Sequence, residues 1–153
     1  MLLPTPDVIF DHLHGEQRLI GLDVGEKTIG IALSDTRRVI ASPMETIHRT
    51  KFTLDAQQIE EIMHGQNVGG IIVGLPLHAD GSESRTTQSV RQFARNLDKL
   101  FPEFPIALHD ERFTTIQATE VLTDAGLHWR KQAKHVDKVA ACIILQSVLD
   151  MKN

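Results

Sequence analysis

Acidic residues stand at the ends of apolar segments at three places in this chain of 153 residues. Asp23 closes the run Arg18-Leu19-Ile20-Gly21-Leu22-Asp23-Val24. Asp110 and Glu111 follow Ile106-Ala107-Leu108-His109. Asp137 opens a segment in which positions 137, 140, 141, 144 and 148 share a helical face, the last four being Ala140, Ala141, Ile144 and Val148. Carboxylates brought to one point repel each other and favour protonation. A divalent cation relieves that repulsion, and Mg²⁺ takes oxygen ligands while keeping waters or substrate phosphates in its shell. Two such ions roughly 4 Å apart activate a water and stabilise the leaving oxygen in phosphodiester cleavage. The chemistry these residues suggest is hydrolysis of a phosphodiester with Mg²⁺ or Mn²⁺.

Each acid also has a plainer explanation. Strand alternation puts residues 19, 21, 23 and 25 on one side. Gly21 and Gly25 therefore predict open space beside the Asp23 carboxylate, room for a metal or a phosphate backbone. Asp23 equally fits an acid that starts a turn, with Gly25 as the turn glycine. Neighbouring strand residues point to opposite sides, so at most one of Asp110 and Glu111 faces a site shared with Asp23. The other caps the following helix or pairs with Arg112, and spacing leaves the choice open. An unpaired carboxylate at Asp137 would be costly to bury, which leaves a helix cap, a cation pair or a metal ligand.

Basic residues accompany these acids. Arg85, Arg91 and Arg95 lie on or near an expected helix over 84–100. Arg130, Lys131, Lys134 and Lys138 surround Asp137, and Trp129 among them has a face on which a base can stack. The same residues also describe a solvated charged surface. The loop Asp80-Gly81-Ser82-Glu83-Ser84 offers hydroxyls and a turn glycine to a phosphate, or an ordinary turn and helix cap.

The elements that must position these groups follow from periodicity. Residues 18–24 and 28–34 read as two strands of a hairpin. Val39 to Ile47 reads as a third, pushed towards an edge or bulge by Pro43. A helix over 53–66, capped by Thr53, gives way at Gly69-Gly70 to the short strand Ile71-Ile72-Val73. The helix over 84–100 leads to a last strand at 106–109. A further helix is expected from Thr114 or Thr115 to Gly126, and a final one over 136–150. An early meander followed by alternating helices and strands implies an α/β fold, a mixed five-stranded sheet with helices on both faces. The division is an arm, residues 1–17, and one domain, residues 18–153. The arm carries two prolines and an amphipathic piece, Val8 to Leu13.

Composition bounds the function. The hydrophobic share of 41% and charged share of 24% are those of a soluble globular protein. A net charge of −4 and a pI near 6.0 argue against a protein that coats nucleic acid. They leave room for a local basic rim around an acidic centre. The single cysteine, Cys142, excludes an intramolecular disulfide and reads as a core residue within Ala140-Ala141-Cys142-Ile143-Ile144. The first residues lack the basic and apolar regions of a secretory signal. No apolar stretch approaches the roughly 20 residues of a membrane span, so a cytoplasmic protein without membrane partners is expected.

Four blocks resemble the YqgF/RuvX family. They are Gly21-Leu22-Asp23-Val24-Gly25 with Lys27, Ile29-Gly30-Ile31-Ala32 and Ser34-Asp35; Ile72-Val73-Gly74-Leu75-Pro76-Leu77 with Asp80-Gly81-Ser82; Asp110-Glu111-Arg112-Phe113-Thr114-Thr115 with Ala118; and Val136-Asp137-Lys138 with Ala140-Ala141, Ile143-Ile144-Leu145-Gln146-Ser147 and Leu149-Asp150. Together they span roughly residues 18–150, in order. The resemblance implies a ribonuclease-H-like domain. It also implies a metal-dependent nuclease, acting as an endonuclease or an exonuclease, that processes the 5′ end of precursor 16S ribosomal RNA in ribosome biogenesis. The family was first labelled as Holliday junction resolvases. By the same resemblance the catalytic and metal-binding acids are Asp23, Glu111 and Asp137, which takes Glu111 over Asp110. Substrate contacts are expected from Lys27, Asp80, Ser82, Arg85, Arg112, Arg130, Lys134 and Lys138. Two positions depart from the pattern: Thr28 stands where many members carry Arg, and His78 where Asn is common.

Other readings compete. A junction resolvase acting on branched DNA shares the cleavage chemistry and favours a dimer, while nothing in the chain sets the oligomeric state. Asp23-x-Gly25 followed by Gly30 also resembles the phosphate loop of actin-like kinases, but those need two domains, and this length provides one. A non-catalytic nucleic-acid-binding regulator would not require all three acids.

Overall fold

The structure is a computed structural model. It describes residues 1–113 and 136–152, and the side chains of all of these except Phe113, Val136 and Asp137. The strands are β1 (Arg18–Val24), β2 (Thr28–Ser34), β3 (Ala41–His48), β4 (Val68–Leu75) and β5 (Ile106–Asp110). The helices are α1 (Phe52–Gly65), α2 (Arg85–Leu100) and α3 (Val136–Leu149), with a 3-10 helix at Pro6–His12. The expected helix from Thr114 or Thr115 to Gly126 lies outside the described residues. No helix among the described residues is long and apolar enough to cross a membrane.

The strands form one mixed sheet in the order β3-β2-β1-β4-β5. β1, β2 and β3 pair antiparallel, with Val24 opposite Ile29 at the tight end of the first hairpin. β4 runs parallel to both β1 and β5, with Gly21 opposite Ile72 and Ile72 opposite Ala107. As expected for Pro43, β3 lies at the edge, and the β2–β3 register shifts beside its partner Ala32. The carboxyl ends of β1, β4 and β5 meet on one side of the molecule.

Alternation divides the core into two layers. Ile20, Leu22, Val24, Ile71, Val73 and Ile106 pack with Ile59 and Met63 of α1 and Val90, Phe93 and Leu97 of α2. On the other face Leu19, Ala32, Ile72 and Ala107 pack with Ala141, Leu145 and Val148 of α3. Helices on both faces of a mixed five-stranded sheet are what the element order predicts.

Three local expectations change, and the arm takes a defined place. Gly69-Gly70 does not end a pattern but lies inside β4. A Cβ on Gly70 would come within 2.9 Å of Leu19 Cδ2 and 3.0 Å of Ile9 Cδ1, so the missing side chain admits these core residues. Thr53 is not the cap of α1; the cap position is Lys51, without a side-chain bond. Phe52 is drawn into the helix, its ring edge-on to Phe93 at 5.4 Å. The arm is ordered: the Leu3 amide donates to Ile106 O and the Ile106 amide to Met1 O, both at 2.8 Å, so its first residues run along the outer edge of β5. Its 3-10 helix buries Ile9 completely in the α3-side layer.

Gly21 is the third correction. The expected open space beside Asp23 is filled, since a Cβ on Gly21 would meet Leu145 Cβ at 2.8 Å and Ala141 O at 3.2 Å. Glycine here lets the backbone of α3 close on β1. Gly25 takes the plainer of its two readings, its amide donating to Thr28 O at 2.8 Å across the hairpin turn.

Candidate active site

Asp23 is the penultimate residue of β1, half-buried between Leu22 and Val24, which both face α1 and α2. Alternation therefore turns Asp23 to the α3 face. Its position is one residue beyond the Leu22–Val73 pair, level with Gly74 of β4. A Cβ on Gly74 would lie 3.4 Å from the carboxyl carbon of Glu111 and would collide with Ile144 Cδ1. Gly74 thus leaves the room in which Glu111 sits beside the neighbouring strand. Burial, then the charges of Asp23 and Asp110, push the Glu111 carboxyl up to about 7. Asp23 at the end of β1 and Glu111 just after β5 are therefore brought together across the end of the intervening β4.

Asp110 takes the other role left open by the sequence. Arg112 donates to it three ways, Nη2 to Oδ2 at 2.7 Å, Nε to Oδ1 at 3.1 Å and the amide to Oδ1 at 2.9 Å. That pairing holds the Asp110 carboxyl below its usual range. Arg112 Nη1 also donates to Ala79 O at 3.3 Å and lies 3.1 Å from where a Gly81 Cβ would stand. The arginine thereby joins the end of β5 to the 78–82 loop. In that loop Asp80 Oδ1 accepts from Ser82 Oγ at 2.6 Å and from its amide at 2.9 Å, which lowers the Asp80 carboxyl.

The third expected acid, Asp137, is the second residue of α3, and its side chain lies outside those described. The course of the helix is informative. Residues 141 and 145 cross Gly21, whereas Gln146 Oε1 accepts from the Ala41 amide at 2.9 Å. Ala41 pairs with Ser34, whose Oγ accepts from the Leu19 amide at the start of β1. α3 hence runs opposite to β1, and its first turn lies towards the end that carries Asp23. Among the described residues no group of three metal-ligating side chains gathers.

The expected basic contacts are dispersed. Lys27 is exposed in the first hairpin turn, Arg85 is exposed at the first residue of α2, and Lys138 is half-buried in the first turn of α3. Arg130, Lys134 and Trp129 lie outside the described residues. α2 starts where Ser84 and Thr87 form a capping box, satisfying amides that the helix itself leaves open. Buried Thr87 also donates to Pro76 O, tying the helix to the end of β4.

His109 was not singled out by the sequence, where it reads as the end of an apolar run. It is 1% exposed, pairs with Gly74 across β4–β5, and its Nε2 has no hydrogen bond among the described residues. Burial lowers its basicity, so a neutral imidazole sits in the layer beside Glu111.

Known proteins that resemble this chain bear on its family and its fold. The family described as "RuvX: Holliday junction resolvase" matches residues 17–151. The "Putative pre-16S rRNA nuclease" of Paramagnetospirillum magneticum is 46% identical over the whole chain and 98% of its own length. The protein of the same name from Ruegeria is 48% identical over 86% of this chain and 83% of its own. Among solved structures, RuvC of Thermus thermophilus in complex with a Holliday junction superposes with a TM-score of 0.59 at 12% identity, covering 88% of this chain and 94% of that one. The yeast mitochondrial resolvase Ydc2 gives 0.56 at 12%, covering 95% and 83%. At such identity these structures speak for the fold, which is the ribonuclease-H-like fold of RuvC. With its acids at the strand ends of that fold and the family's sequence along nearly its full length, the chain belongs to the RuvX family.

Proposed function

We propose that this protein is a nuclease that hydrolyses phosphodiester bonds at the 5′ end of precursor 16S rRNA, with Asp23, Glu111 and Asp137 as the carboxylates of a divalent metal site. The observation that carries the reading is the pair Asp23–Glu111, acids at the ends of β1 and β5 that approach each other over Gly74 of the intervening β4, where burial first and the Asp23 charge second raise the Glu111 carboxyl to about 7. Such a pair needs a cation to hold both charges at neutral pH. Its all-oxygen donors suit Mg²⁺ or Mn²⁺. When bound, the metal supplies Lewis acidity for water activation and for the leaving oxygen.

The chain's own residues do the rest. Gly74 keeps space for Glu111 on the α3 face. Arg112 draws Asp110 away from that face and anchors the 78–82 loop, placing Asp80 and Ser82 at the rim. Lys27, Arg85 and Lys138, with Arg130 and Lys134, are positive groups for the phosphates of the strand. The nuclease domain in this reading is 18–153, and the arm 1–17 buttresses its sheet. The names of the relatives favour precursor rRNA over branched DNA, and the location proposed is the cytoplasm.

The test is cleavage of a precursor 16S RNA fragment and a four-way DNA junction side by side. Both are offered to wild type and Asp23→Asn, with Mn²⁺ or Mg²⁺ and with chelator. Metal-dependent cutting of RNA alone, lost in Asp23→Asn, is the expected result. Cutting confined to the junction would replace the ribosomal reading by the resolvase. Binding of RNA without cutting under either metal would leave a nucleic-acid-binding regulator.

A further inference from the structure

A cavity of about 590 Å³ opens at the carboxyl end of β1, and Val24 and Gly25, which directly follow Asp23, form part of its wall. Val24 faces α1 and α2, so the cavity lies around the strand end from the acids. Its wall places two arginines, Arg49 and Arg85, against one carboxylate, Glu26, together with the hydroxyl-bearing Thr50 and Ser89.

Arg49 is held from three directions. Its Nη1 donates to Gly25 O at 2.7 Å. Its guanidinium carbon stands 5.4 Å from the centre of the Phe93 ring. Its Nε lies 3.9 Å from Asp55 Oδ2, a carboxylate whose side chain is 1% exposed and whose Oδ2 accepts no hydrogen bond among the described residues. Asp55 is itself fixed through Oδ1, which accepts from the Thr50 amide at 3.1 Å and from Thr50 Oγ1 at 3.3 Å. A guanidinium carries five N–H donors in a rigid fork suited to phosphate. The bond to Gly25 is the one hydrogen bond that the Arg49 guanidinium donates among the described residues. A fork already oriented by protein loses little freedom when it captures a ligand.

We infer that this cavity is a phosphate subsite for the nucleic-acid strand, in which Arg49 and Arg85 bind a phosphate flanking the bond presented to Asp23. Naming the phosphate as part of the substrate rests on the nuclease reading; the anion chemistry of the cavity does not. A strand lying across the carboxyl ends of β1 and β4 passes from the acids over Gly25 into the cavity.

The experiment measures binding of a single-stranded RNA oligonucleotide in EDTA, so that cleavage plays no part. Wild type, Arg85→Ala and Arg49→Lys are compared over a range of salt. Arg85 is exposed, and its variant leaves the packing alone. Arg49→Lys keeps a charge beside Asp55 but removes the fork. Each substitution is expected to weaken binding about tenfold, the scale of one charge-assisted contact. Arg85→Ala also reduces the salt slope by about 0.7, that of one single-strand phosphate, whereas Arg49→Lys, which keeps its charge, leaves the slope unchanged. A methylphosphonate scanned along the oligonucleotide weakens wild type at one position and leaves Arg85→Ala unaffected there. Equal affinity and salt slope in all three proteins would overturn the inference. So would inorganic phosphate or AMP binding that the variants lose while RNA binding stays whole, since the cavity would then serve a free anion. If the variants lose RNA affinity but wild type never cleaves RNA, the nuclease reading fails and the subsite stands.

Discussion

Glu111 shows how a single residue registers its neighbours. Its carboxyl, ordinarily near 4.5, is raised to about 7 by burial first and by Asp23 second. The metal-free native state therefore keeps a proton between about 4.5 and 7 that the unfolded chain has released. Stability falls wherever the native state binds more protons. The metal-free protein should lose stability as pH rises through that window, with the loss complete above it. Urea unfolding in EDTA at several pH values measures this, and Glu111→Gln should flatten the slope. Asp23→Asn should lower the Glu111 titration midpoint, read by carboxyl-carbon NMR, because one of the two opposing charges is gone. A midpoint that does not move would mean that the two acids are not coupled. Cys142 behaves oppositely to a functional group: burial pushes its thiol up to about 12, so it is inert packing.

At the scale of elements, the site depends on how closely α3 approaches the sheet. Gly21 and Gly74 are the two positions where a side chain would stand between them. At Gly21 the obstructing atoms are Leu145 Cβ and the backbone oxygen of Ala141, neither of which can rotate away. Gly21→Ala is expected to destabilise by about 1–3 kcal/mol, the cost of overpacking. Because α3 carries Asp137, it should also reduce cleavage more than stability alone accounts for. Denaturation and single-turnover kinetics on the same variant separate the two effects. At the start of α2, Ser84→Ala removes a hydroxyl that accepts from the Thr87 amide at 3.2 Å. The expected loss is about 1 kcal/mol, measurable by thermal unfolding.

For the molecule as a whole, the arm is a source of stability outside the core helices, and the proposed metal is expected to be another. Ile9 has no exposed surface and reaches the sheet where Gly70 makes room. Ile9→Ala is expected to cost about 2–5 kcal/mol, a value that urea unfolding can read. A loss below 1 kcal/mol would mean that the arm is not part of the cooperative unit. A ligand that binds only the folded state raises stability with its concentration. Mn²⁺ should accordingly raise the melting temperature of wild type, and Asp23→Asn should abolish the rise.

The sequence by itself determined the order of the elements, because apolar periodicity is a local property and each strand or helix must bury a face. It also determined that Asp23 closes a strand and that Asp137 opens a helix, and its four motif blocks led to the family. Three matters belonged to tertiary structure. The ion pair with Arg112 and the space left at Gly74 gave Asp110 and Glu111 different surroundings, which the spacing of those acids from Asp23 leaves open. Close packing decided the meaning of Gly21, Gly70 and Gly74, because an absent side chain looks the same in sequence whether a helix or a void lies opposite. Arg49 attracted no notice among the basic residues, as its fixing partners Gly25, Asp55 and Phe93 come from three separate segments. Only the fold brings a hairpin turn, the start of α1 and the middle of α2 to one guanidinium.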